Sequence, residues 1–96
     1  MVVGLLQMEL FIDGATSLKE KRQVVKSIIG KIEGKFNVSV SEVDHQELWQ
    51  RAAIGIAHTS ATESQTRKVL QNIRNFVEAL GKATVTRGEI SIFAPE

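Results

Sequence analysis

The chain has no cysteine, which excludes disulfides, thiolate catalysis and cysteine-held metal. Proline occurs once, as Pro95, and no low-complexity tract or internal repeat divides the 96 residues. One domain spanning 1–96, built on a single two-layer core, is therefore expected. Long hydrophobic runs are also missing. The apolar start M-V-V-G-L-L-Q-M-E-L-F-I is broken by Gln7 and Glu9, and no basic residue precedes it. Neither a secretory signal nor a membrane span is expected, and the absence of cysteine suits a reducing cytoplasm. Phosphate-cradling G-x-x-x-x-G-K-[ST] and G-x-G-x-x-G patterns are absent. Apolar residues make up 43% of the chain and charged residues 24%, the balance of a folded globular protein.

The hydrophobic period alternates along the chain. Val2 to Ile12 places Leu6, Met8, Leu10 and Ile12 on one face of a strand, and Asp13-Gly14 ends it with turn chemistry. Ser17 to about Gly34 follows as a helix with Leu18, Val24, Val25, Ile28, Ile29 and Ile32 on its apolar stripe. Phe36 to Val43 alternates again and reads as a strand. Asp44 to Leu48 is polar, and Trp49 to His58 is a third strand, antiparallel to the second. Thr62 to Leu80 carries a second helical stripe, and Gly81 stops it. Thr84 to Phe93 is the last strand, with Gly88 a candidate bulge. The order β-α-β-β-α-β, with right-handed crossovers, predicts a ferredoxin-like α+β fold. Four antiparallel strands carry two helices on one face, with the first and third strands central.

The segment T-S-L-K-E-K-R at 16–22 is the most informative stretch. Ser17 and Glu20 have capping-box spacing. Lys19, Lys21 and Arg22 then fall in the opening turns, where the backbone dipole is already positive. Such charge asks for an anionic partner or a nearby carboxylate. From Ser17 to Lys35 the net charge is +4, against −3 for the rest of the chain. Lys19, Arg22 and Lys26 share the wet helix face, and Arg67 and Arg74 are seven apart on the second helix. Together they form a candidate surface for phosphate-directed nucleic-acid binding. Lys21 points nearer the apolar stripe. Its ammonium either meets Glu42, Glu9 or Asp44 internally or builds an anion site with the helix start.

The bare face of the sheet is expected to carry Leu5, Gln7, Glu9 and Phe11 from strand one. Strand three adds Trp49, Arg51, Ala53, Gly55 and Ala57, and strand two adds Asn37, Ser39, Ser41 and Val43. Leu5, Phe11, Trp49 and Arg51 mark this face as an oligomer interface, with a twofold dimer covering it. Strand three has no aromatic at its middle, so the base-stacking platform of an RNA recognition motif is not formed there. His45 beside Asp44 and Glu47 is the nearest approach to a catalytic group, and neither it nor His58 has metal-ligand spacing. No catalysis, cofactor or metal is expected. A small enzyme or anion module would need Lys21, Glu42, Asp44 and His45 to converge.

V-V-G-L-L-Q-M-E-L at the start, S-L-K-E-K-R at 17–22, F-N-V-S-V-S-E-V at 36–43 and W-Q-R-A at 49–52 resemble the small bacterial YlxP-like family, whose function is unknown. The likeness spans essentially the whole chain. It implies a ferredoxin-like fold and a cytoplasmic bacterial protein whose relatives are often encoded among translation-initiation and ribosome-maturation genes. It implies ribosomal RNA or a ribosome-associated protein as a partner, and it brings no catalytic residues. The recurring pieces fall on Ser17, Lys19, Glu20, Lys21 and Arg22, on Glu42 and Asp44, and on Trp49 and Arg51.

Overall fold

The computed structural model describes residues 1–95. Its elements are β1 (Val2–Phe11), α1 (Leu18–Lys35), β2 (Ser39–Asp44), β3 (Arg51–Ser60), α2 (Glu63–Leu80) and β4 (Thr84–Phe93). The strands form one sheet in the order β2-β3-β1-β4, every neighbouring pair antiparallel. This is the ferredoxin-like arrangement, with β1 and β3 central. Their centrality follows from their apolar content, because a central strand gains the most burial.

Leu6, Met8, Leu10 and Ile12 point to the helix side with Ala52, Ile54 and Ile56 of the neighbouring strand, all nearly inaccessible. Val25, Ile28 and Ile32 of α1 and Leu70, Ile73 and Val77 of α2 close over them. Each such aliphatic side chain stabilises the fold by about 1.5–3 kcal/mol relative to exposure. No helix among the described residues is long and apolar enough to cross a membrane.

Several boundaries depart from the sequence reading. Gly34 does not stop α1. The helix runs to Lys35, and Phe36 caps it in extended conformation. Phe36 packs edge-on against Phe76 of α2 with ring centroids 5.5 Å apart, so it closes the helix layer instead of opening β2. Strand β3 starts at Arg51, which leaves Trp49 in the preceding loop. There Ile12 N–H donates to the Gln50 carbonyl at 2.8 Å, and Gln50 Nε2 donates to the Ala15 carbonyl at 3.2 Å. The bulge in β4 is at Thr86, which lies between the pairs Glu9–Arg87 and Leu10–Val85, and its hydroxyl donates to the Glu9 carbonyl. Gly88 instead makes room for Arg74, since a Cβ there would lie 3.0 Å from Arg74 Nη1.

Candidate nucleic-acid interface

The start of α1 is organised by its own polar side chains. Ser17 Oγ accepts from the Glu20 N–H at 3.1 Å, satisfying one free donor of the first turn. The Glu20 carboxylate reaches back to the Thr16 N–H at 2.8 Å and the Thr16 hydroxyl at 3.0 Å, one residue earlier than the usual capping box. These two hydrogen bonds, the backbone one first, hold the Glu20 carboxyl below its ordinary pKa. A depressed carboxyl contributes stability that is present above its unfolded pKa and lost as pH falls through the folded one. Glu20→Gln, which mimics the neutral carboxyl, is therefore expected to melt below the wild type at about pH 5, with the gap closing as pH falls toward about 3 and the wild type loses the same contribution. Thermal melts between about pH 5 and pH 3 read this directly.

Lys21 turns inward and is wholly buried. Its Nζ donates to the His45 carbonyl at 2.8 Å and the Gln46 carbonyl at 3.3 Å, and it lies 2.5 Å from Glu42 Oε2. The contact with Glu42 is ionic and lacks good hydrogen-bond angles, so this buried oxygen has no well-formed hydrogen bond. The ammonium is hydrogen-bonded to two carbonyls, lies against the carboxylate and is wholly buried, so it is closed to an external anion. The group is an internal clamp that ties α1 to β2 and to the loop 45–50. Asp44 stays outside it and accepts instead from the His45 N–H at 2.7 Å.

His45 has a left-handed backbone, with φ of 64°. A residue with a Cβ pays roughly 1–2 kcal/mol for this conformation. Here the Asp44 carboxylate, the Lys21 contact and a Leu48 N–H on the His45 carbonyl hold it. Its ring is half-buried, with Nε2 3.1 Å from Glu9 Oε2 on the bare sheet face. Lys21, Glu42 and His45 thus converge, but around a buried internal contact.

The remaining cations divide sharply. Arg67 pairs with Glu63 at 3.5 Å and Arg74 with Glu78 at 3.1 Å, each one helical turn away. Lys19, Arg22 and Lys26 are exposed, and the ion pairs among the described residues give them no carboxylate. At 100° per residue the three lie within about 60° around the axis, over about 10 Å of helix. Lys31 on α1 and Lys68 on α2 are also exposed without a carboxylate, so the free positive charge of the helix layer is richest on α1, where Lys19, Arg22 and Lys26 share one face. The second helix adds arginines that phosphate would have to draw away from their own glutamates.

Sequence reasoning passed over one polar cluster. His58 Nδ1 lies 3.1 Å from Thr66 Oγ1, which is 2.5 Å from Ser60 Oγ, and Ser60 in turn donates to the Thr62 carbonyl at 2.7 Å. Each hydroxyl has one proton, so the chain of donors runs from His58 Nδ1–H through Thr66 and Ser60 to that carbonyl. It splices the first turn of α2 onto the end of β3. The available signal was position 66, which falls on the buried stripe four residues before Leu70.

Over residues 3–90 the chain matches the family described as "Protein of unknown function (DUF503)". The chain belongs to this family. The uncharacterized protein YlxP of Bacillus subtilis (strain 168) is 42% identical over 90 residues, covering 92% of this chain and 98% of that one. Among solved structures, the de novo designed ferredoxin-fold protein LFR1 1 superposes with a TM-score of 0.56 at 10% identity, over 99% of this chain and 88% of that one. A variant of SnoaB, a cofactor-independent oxygenase from Streptomyces nogalater, gives 0.50 at 10% identity, over 98% and 92%. At such identity these two structures speak for the fold alone. The family's function is unknown, so a biochemical reading of this member starts from its own surface.

Proposed function

We propose that this member of the family is a non-enzymatic accessory protein that binds RNA through the outer face of α1, with Lys19, Arg22 and Lys26 on the phosphates. The observation that carries the reading is the contrast among the cations. Lys21, Arg67 and Arg74 have carboxylate partners within the protein, whereas these three project unpaired from the dipole-positive half of a helix. The first turn of α1 also presents free backbone N–H groups, which favour anions. Lysine and arginine on phosphate give affinity and orientation without reading bases, so recognition is by backbone and shape. Ribosomal RNA is the partner that the gene neighbourhood of the resembling family suggests.

The test is a fluorescence-anisotropy titration of labelled ribosomal RNA fragments with the wild type and with Lys19→Ala/Arg22→Ala/Lys26→Ala. Affinity is expected to fall at least about tenfold in the triple variant, while its melting temperature stays close to wild type because exposed positions contribute little to stability. Equal affinities would remove the reading.

A further inference from the structure

We infer that the sheet face left bare by the helices is an interface between two copies of this chain, each covering the other's sheet. Ser39 and Ser41 on β2 and Gly55 and Ala57 on β3 make a low floor, while Ala53 beside them is already covered. Around it stand Leu5, Phe11, Val43 and Phe93, exposed by 41, 37, 46 and 55%. Leu5 and Val43 wall a groove of about 310 Å³ above Gly55 and Ala57. The hollow is built in, because a Cβ on Gly55 would press to 2.9 Å from Val43 Cγ1. A face with both protrusions and a recess suits a twofold contact, in which each copy offers what the other receives.

Charge selects a second copy over a nucleic acid here. The face carries Glu9, Asp44 and Glu89 against Arg51 and Arg87, a net charge of only −1, so it offers no cationic surface to a nucleic acid and repels a second copy little. Glu89 already pairs with Arg87, and Glu9 with the His45 ring, which lowers the cost of covering them. Size agrees as well. Three ten-residue strands and the six-residue β2 give a flat area of about 590 Å². That footprint, increased by side-chain relief, approaches the ~800 Å² per partner of a stable interface. Stacked this way, both α1 outer faces stay in solvent, so the inference stands apart from the RNA reading.

Sedimentation equilibrium of the full chain at micromolar concentration tests it. Twice the 10.6 kDa chain mass is expected. Phe11→Glu and Leu5→Glu, near opposite ends of the face, are each expected to weaken association at least about 100-fold by burying an unpaired charge. Lys26→Glu, on the far side of the helix layer, leaves the mass unchanged. Circular dichroism establishes that each variant is folded, and a variant that fails to fold leaves the decision to the other and to the wild-type mass. A monomeric wild type overturns the inference. So does a dimer that survives both glutamate variants.

Discussion

Lys21→Met is expected to destabilise the protein by about 3–5 kcal/mol, because it leaves the Glu42 carboxylate buried without its counter-ion. The substitution also removes both donors that hold the loop at His45 and Gln46. Against a total stability of about 5–15 kcal/mol for a domain of this kind, that is a large fraction. Urea unfolding measures it. The same change at Lys19, exposed and unpaired, is expected to move stability by no more than about 0.5 kcal/mol. The double variant Lys21→Met/Glu42→Met separates mechanism from bulk. Removing both charges together is expected to restore most of the loss, since a buried pair replaced by apolar side chains is often neutral. A single-variant loss under about 1 kcal/mol would show that the clamp is only decorative.

Gly4→Ala is expected to cost about 1–3 kcal/mol, although alanine is usually harmless in a strand. A Cβ on Gly4 would overlap the Thr66 methyl group and come within 2.8 Å of Leu70 Cδ1. The backbone of α2 approaches β1 here, and the threonine that fills the gap is held by the His58–Ser60 hydrogen bonds, so it cannot swing away. Thr66→Ser keeps the hydroxyl and deletes the methyl. In that background Gly4→Ala is expected to lose much of its cost, which a double-mutant cycle reads as positive coupling. Gly30→Ala provides the opposite sign. It is mid-helix with nothing within 4 Å of the added carbon, and a gain of about 0.5–1 kcal/mol is expected from helix propensity.

The features legible in the sequence are those set by local periodicity. Alternation in β1 and the stripes of α1 and α2 specify which side chains face the core, and element order then leaves few topologies. The errors fall where a distant contact decides. Gly34 looked like a stop, but it does not take the left-handed conformation that Gly81 takes at the end of α2, and the helix continues until Phe36 packs on Phe76. Trp49 looked like the first residue of a strand, but the pairing with β1 reaches no further than the Ile12 N–H on the Gln50 carbonyl, and Trp49 lies in the loop before it, 54% exposed.

The candidate site was legible in the same uneven way. The helical direction of Lys21 placed it beside the core, and Glu42 was among the carboxylates its reach allowed. That its remaining donors go to two loop carbonyls depends on the left-handed turn at His45, which no local pattern announces. The pairing of Arg67 with Glu63 and Arg74 with Glu78 was written in the i,i+4 spacing. Thr66 was missed because a threonine on an apolar stripe resembles a surface residue until its hydroxyl finds a buried partner.

The salt dependence of RNA affinity tests the central claim most directly, because it counts the phosphate contacts made by α1. Three contacts imply a slope of log affinity on log salt of about −2 to −3, or roughly 15- to 60-fold weaker binding between about 50 and 200 mM salt. In the Lys19, Arg22 and Lys26 triple alanine variant the slope is expected to flatten by about that amount. Parallel slopes for the two proteins would contradict the account, since the cations left unpaired on α1 would then carry none of the binding.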